Sequence, residues 1–157
     1  ASTEGLSAAA ALGVKPDRLI SLNYETKDVV YGSELIEKLD KIISEYEIDL
    51  VYTHWIHDVH QDHSAVGKAT LNAARHTPSV LMYRSNWYRP RETFNPSFFV
   101  NISDYIDIKI KALQEHKSEC ARRGPSWITF VKNQNRTRGI EMGIEYAEDF
   151  EMIKWLI

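Results

Sequence analysis

Cysteine occurs once, as Cys120, so the chain has no disulfide framework and the cytoplasm is the default compartment. No apolar run approaches the roughly 20 residues that a membrane-spanning helix needs, which excludes such a span. Charge of one sign is lacking too: 19 Lys and Arg face 22 Asp and Glu, for a net charge of −3. That balance provides no basic field for nucleic acid or anionic lipid. The opening "ASTEGLSAAAALGVK" has no basic stretch before its apolar residues and reads as an amphipathic helix, not a signal peptide. No internal repeat, low-complexity tract or linker interrupts the 157 residues, a length suited to a single domain over 1–157.

What is present is an alternation of element types. Residues 3–12 predict a helix closed by Gly13, and "RLISLNY" (18–24) alternates as a strand does. In 33–48, Leu35, Ile36, Leu39, Ile42, Ile43 and Tyr46 fall at helical spacing, with Ser33 as N-cap. "DLVYTHW" (49–55) predicts a buried strand, 62–75 a helix rich in small residues, 79–84 a strand, 98–103 a short strand and 104–116 a helix. Beyond Ser118 the pattern weakens into a polar helical run and the closing "GIEYAEDFEMIKWLI". Apolar strands alternating with helices predict an α/β, Rossmann-like three-layer fold around a mostly parallel sheet. Ligands in such sheets bind beyond the carboxyl ends of the strands.

One stretch stands at such an end. "THWIHDVHQDH" (53–63) holds four of the six histidines, as His54, His57, His60 and His63, with Asp58 and Asp62 between them. Neutral imidazoles and carboxylates suit zinc, which in catalytic sites takes three protein ligands and leaves a position for water. Metal-bound water reaches a pKa near 7, and an adjacent aspartate can fix an imidazole's tautomer. A solvated polar loop is the plain alternative, and His-x-x-His alone is only moderately specific.

The stretch "DLVYTHWIHDVHQDHSAVGKATLNAAR" resembles the signature of the LmbE-like (PIG-L) zinc-dependent deacetylases of N-acetylated amino sugars. Three other segments agree in order: "EGLSAAAALGV", "FNPSFFVNIS" with "KIKALQEHKSE", and "GIEYAEDFE". The resemblance implies that His63 is a zinc ligand. It implies that His60 is the catalytic histidine facing the substrate carbonyl, and that Asp62 sets its orientation and charge. His57, Asp58 and Arg84 become candidate substrate contacts. The implied reaction is amide hydrolysis: water attacks the acetyl carbonyl, and the intermediate collapses to amine and acetate.

The family's His-Pro-Asp-Asp motif, which carries its other two zinc ligands and its base, has no counterpart here. Pro16-Asp17 lacks the preceding histidine. The expectation is therefore a chain without the family's first strand and with an incomplete Zn2+ site. Glu119 replaces a usual glutamine, and Thr26 stands where an acidic residue is common. The expected ligand is a small N-acetylated sugar, with homo-oligomerisation open. A binding or assembly protein of the same fold, lacking the metal, is the second reading, and a His/Asp phosphoesterase the third. In the Ser85–Pro96 loop, Trp87, Tyr88, Arg89 and Arg91 fit a sugar-stacking role and an ordinary lid equally well. Arg122, Arg123, Arg136 and Arg138 read as solvated charge, and Cys120 as a packing residue.

Overall fold

The computed structural model describes residues 3–85 and 87–156, so Asn86, within the predicted ligand loop, lies outside the described residues. Six helices are described: α1 (Thr3–Ala11), α2 (Ser33–Glu45), α3 (Gln61–Ala73), α4 (Ile106–Gln114), α5 (Lys117–Arg123) and α6 (Pro125–Glu141). Four strands accompany them: β1 (Leu50–His54), β2 (Ser79–Tyr83), β3 (Phe98–Asn101) and β4 (Ala147–Lys154). They form an open sheet in the order β1-β2-β4-β3. The fold is α/β, as expected. β1 and β2 run parallel, Leu50 opposite Ser79 and His54 opposite Tyr83. β4 returns antiparallel to β2, so the sheet is mixed where the apolar strands predicted a mostly parallel one.

The chain divides into two compact units. One comprises the residues up to Asn23 together with Val100–Glu148; the other comprises Tyr24–Phe99 and the segment from Asp149. In the first, Ala8 of α1, Ile106 and Ala112 of α4, Ile102 and Ala147 are buried. Glu4 of α1 accepts hydrogen bonds from the Ser118 backbone N–H and hydroxyl at 2.8 and 2.7 Å, tying the first helix to α5. Gly13, with φ 77°, ends the α1 segment as expected.

In the second unit Val80, Leu81 and Met82 of β2 are almost fully buried, and Leu35 of α2 and the small-residue face of α3 are buried as well. That face consists of Ala65, Gly67, Ala69, Thr70 and Ala73. A methyl group on Gly67 would overlap the carbonyl oxygen of His54, so the absent side chain is what lets α3 lie against β1. This contact sets the α3 N-terminus beside the carboxyl end of β1.

Two expectations differ from the structure. Residues 18–24 form no strand. Pro16–Arg18 make a 3-10 turn, Asn23 and Lys27 take positive φ values of 55° and 77°, and alternation finds no neighbouring strand to pair with. Ser33 is the first residue of α2 and not its cap; Gly32 takes that position, extended at φ −177°. β1 lies at the sheet edge beside an apolar cavity of about 410 Å³, lined by Leu39, Ile42 and Ile43 of α2, Val66 and Thr70 of α3, and β1 itself.

Candidate active site

The site grows from three termini in one unit: the end of β1 (His54), the end of β2 (Tyr83, followed by Arg84 and Ser85), and the first turn of α3 (His60 to His63). His54 pairs with Tyr83 across the parallel ladder, so both strands deliver their last residues at one edge. The imidazoles of His54, His63 and His60 form a column. His54 stacks on His63 at 4.0 Å with a 4° tilt, and His63 on His60 at 4.6 Å with a 25° tilt.

His60 caps α3. Its Nδ1 accepts the backbone N–H of Asp62 at 3.2 Å, a role a side-chain acceptor commonly takes at a helix start. A ring nitrogen that accepts carries no proton, so the neutral imidazole of His60 holds its proton on Nε2. His63 has the opposite arrangement. Its Nδ1 lies 3.3 Å from Asp58 Oδ2 and 3.0 Å from Ser85 Oγ. Asp58 is buried, which pushes its carboxyl up, but the His63 contact and the His60 backbone N–H outweigh this and leave it below its ordinary value. Facing an ionised, acceptor-only carboxylate, His63 Nδ1 carries the proton and Nε2 keeps its lone pair. Two rings one helical turn apart thus offer a donor and an acceptor.

His54 is mainly desolvated by burial, with His63 adding repulsion, and its pKa falls to about 4. It is neutral at physiological pH. Ser85 Oγ also lies 3.4 Å from His54 Nδ1 and 3.4 Å from Asp58 Oδ2, at the centre of the three side chains. It is no nucleophile of a Ser-His-Asp triad, because Ser85 and Asp58 both address Nδ1 of His63, whereas a triad uses the two nitrogens separately. Sequence reasoning missed Ser85. The available signal was its position just past the carboxyl end of β2, where β1 delivers His54.

Asp62 directs its carboxylate away from His60. Its Oδ2 accepts the Lys27 backbone N–H at 2.7 Å, and Oδ1 is buried with no partner among the described residues. The fixed contact between Asp62 and His60 runs through the Asp62 backbone. His57 is exposed, its ring meeting the edge of buried Trp55 at 5.2 Å. Arg84 donates to the Tyr88 carbonyl at 3.0 Å, folding the start of the loop back on itself. Trp87 and Tyr88 meet edge to face at 6.4 Å, and Phe94 packs on Trp55 at 5.5 Å. Cys120 directs its Sγ at the Leu113 carbonyl in the other unit, a packing position.

Catalytic zinc needs three protein donors that converge on one point. His63 presents an oriented lone pair at Nε2, and Asp62 Oδ1 has no partner among the described residues. Asp58 is engaged by His63 and the His60 backbone N–H, and the ring planes of His54 and His63 are parallel, so their in-plane lone pairs cannot converge on one ion. No group of three His, Cys, Asp or Glu side chains among the described residues could hold a metal. The residues present do not fit a closed zinc site.

Comparison with known proteins agrees with the resemblance seen in the sequence. Residues 2–74 match the family described as "PIG-L: GlcNAc-PI de-N-acetylase". Over 108 residues the chain is 36% identical to "Uncharacterized deacetylase YaiS" of Escherichia coli (strain K12), covering 63% of this chain and 56% of the relative. The match to the PIG-L (LmbE-like) family covers just under half of the chain. The chain is also 28% identical over 131 residues to a "Probable N-acetyl-alpha-D-glucosaminyl L-malate deacetylase 2" of Bacillus cereus, covering 80% of this chain and 60% of that one. It therefore spans less than two thirds of either curated relative. The solved N,N'-diacetylchitobiose deacetylase from Pyrococcus horikoshii shares the fold at a TM-score of 0.77 and 21% identity, over 96% of this chain and 61% of that one. No helix among the described residues is long and apolar enough to cross a membrane.

Proposed function

We propose that this chain is a member of the PIG-L (LmbE-like) family and carries the carbonyl-facing side of a de-N-acetylase site that acts on an N-acetylated amino sugar or its conjugate. The observation that carries the reading is the cap: with Nδ1 of His60 held by the Asp62 N–H at 3.2 Å, His60 presents Nε2–H outward as a donor. When water attacks the acetyl carbonyl, negative charge develops on the carbonyl oxygen, and a prepositioned donor there stabilises the transition state more than the substrate. Water adds, the C–N bond breaks as one of the water's protons passes to the nitrogen, and acetic acid, which ionises to acetate, and a free amine leave. Because Nδ1 is occupied as an acceptor, His60 acts here as a hydrogen-bond donor to the oxyanion and does not supply the amine's proton. Asp58 and Ser85 hold His63, and Arg84 with His57 lines the approach.

Zinc is the metal that the family resemblance implies, and it would supply activated water. His63 is the ligand this chain offers it, through Nε2. No step is routed through the metal, because the described residues do not close a site around it. The lone cysteine keeps the cytoplasm as the proposed compartment.

The test is acetate release from N-acetylglucosamine conjugates by a longer polypeptide that contains these residues, loaded with zinc. The proposal expects turnover that falls about 10²-fold or more in His60→Ala, with substrate affinity changed far less. Sugar binding without any acetate release would favour a binding protein of the same fold, and an unimpaired His60→Ala would remove His60 from the chemistry.

A further inference from the structure

We infer that Ser85 is a positioning residue of this site. Its hydroxyl joins the stacked imidazoles of His54 and His63 and fixes them as opposite tautomers, which keeps the Nε2 lone pair of His63 turned outward. The inference rests on the de-N-acetylase reading and adds to it a residue that acts through another. Ser85 stands two residues beyond β2, and the pairing of β2 with β1 brings it to the edge where His54 ends its strand. Three polar atoms surround its Oγ: His63 Nδ1 at 3.0 Å, His54 Nδ1 at 3.4 Å and Asp58 Oδ2 at 3.4 Å. The other nitrogen of His54, Nε2, lies 3.4 Å from the Tyr83 hydroxyl. The two imidazoles stack 4.0 Å apart and 4° from parallel, and both Nδ1 atoms face the one oxygen, so the rings turn the same edge to Ser85.

A neutral imidazole has one N–H and one lone pair, and a hydroxyl has one proton to give. His63 Nδ1 faces the Asp58 carboxylate as well as Ser85, so it carries its proton there and Ser85 accepts from it. Two arrangements then remain for His54. With its proton on Nδ1, it too would donate to Ser85, whose own proton would turn to Asp58. With its proton on Nε2, it accepts from Ser85 and donates to Tyr83. Asp58 already accepts from His63 and from the His60 backbone N–H, so it needs no third donor. The ring dipoles decide. An imidazole dipole points from the lone-pair nitrogen toward the N–H, so protons on both Nδ1 atoms would set two dipole components side by side in one direction, which repels in a stack. A proton on Nδ1 of one ring and Nε2 of the other sets them in opposition, which attracts. Both rings are half-buried, and that strengthens the difference. Without the hydroxyl, His54 Nδ1 has no donor and its proton is free to move there. The stack then favours His63 with its proton on Nε2, the nitrogen the site needs unprotonated.

Ser85 is exposed and lies outside every helix and strand, so alanine there removes the hydroxyl and leaves the fold. Long-range proton–nitrogen NMR spectra of the chain labelled at histidine, in chelator at neutral pH, read which ring nitrogen carries the proton. The expected result is His63 protonated at Nδ1 and His54 at Nε2, a mixture of tautomers on both rings in Ser85→Ala, and the wild-type pair again in Ser85→Thr, which keeps the hydroxyl. In a longer, zinc-loaded polypeptide that contains these residues, Ser85→Ala is expected to lower kcat roughly tenfold with KM little changed, and Ser85→Thr to recover it. The same tautomer on both rings of the wild type, or tautomers that Ser85→Ala leaves unchanged, overturns the assignment. A kcat that Ser85→Ala leaves unchanged overturns its part in the reaction. The expected tautomers in a polypeptide that releases no acetate overturn the deacetylase reading and leave the place of Ser85 in the stack standing.

Discussion

A single nitrogen decides what each histidine in this cluster can do. His60 and His63 are the same residue type one turn apart, yet a cap on one Nδ1 and a carboxylate on the other give them opposite outward faces. His54 shows the same dependence on surroundings as a pH effect. In the unfolded chain its pKa is near 6.5, whereas in the fold, desolvated by burial and repelled by His63, it titrates at about 4. Below pH 6.5 the unfolded state binds a proton that the folded state refuses, so stability falls as pH drops from about 7 to about 4. The loss on this account is on the order of 3 kcal/mol at the acid end. Asp58, with its pKa lowered, keeps its contribution through that window and loses it only below the ordinary carboxylate range. Thermal melting in chelator across pH 4–7 should show the slope in the wild type and a flatter one in His54→Gln; parallel curves would mean that His54 is not the group responsible. The clustering of imidazoles was legible in the sequence. Which nitrogen faces outward was not, because Ser85 lies 22 residues from His63 and reaches it only through the pairing of β1 with β2.

At the scale of elements, legibility followed apolar periodicity. α2 and α3 appear where Leu, Ile and Ala recur at helical spacing, and β1 and β2 where the apolar run is continuous. α6 was seen only as a polar helical run, for a physical reason: the residues buried on it are Asn135 and Gly139, a polar and a small residue that no hydrophobic pattern registers. Asn135 donates to the Ala147 carbonyl at 3.0 Å, doing with a hydrogen bond what an apolar side chain does elsewhere by burial. β4 was not assigned as a strand because "AEDFEMIK" carries three acids and its burial does not alternate cleanly. The helix–strand contact that builds the site hinges on Gly67. Gly67→Ala would drive a methyl group into the His54 carbonyl, and α3 must shift or tilt to admit it. A destabilisation of about 1–3 kcal/mol is expected in urea unfolding, against a change within about 0.5 kcal/mol for Lys68→Ala on the exposed face of the same helix. Equal midpoints for the two variants would show that α3 has slack against β1.

For the molecule as a whole, the sequence resemblance is matched by a shared fold, while the donor set for zinc is incomplete. The resemblance implies one zinc ligand of three, His63, and in the folded chain the Nδ1 of that residue lies against Asp58, leaving Nε2 for a ligand. Folding does not recruit the others: Asp58 is engaged, His54 lies flat against His63, and His60 is held by the helix it caps. One imidazole gives weak, exchangeable binding, whereas catalytic zinc is held by three protein groups. After zinc loading and desalting, the 157-residue chain is therefore expected to retain far less than one equivalent, with His63→Ala no different. Stoichiometric zinc that disappears in His63→Ala would mean that the histidine column opens and turns its rings onto one ion, at the cost of the His54–His63 stack and the α3 cap. That rearrangement would in turn raise the exchange of the Asp62 amide, which the cap now protects, so hydrogen exchange at Asp62 with and without zinc separates a recruited site from adventitious binding. Because the chain spans 56% and 60% of its two curated relatives, the same measurement on a longer polypeptide that contains these residues is the direct comparison. If zinc is held there and lost with His63→Ala, His63 is a true ligand whose partners lie outside these 157 residues; if it is held there regardless of His63, the ligand assignment fails.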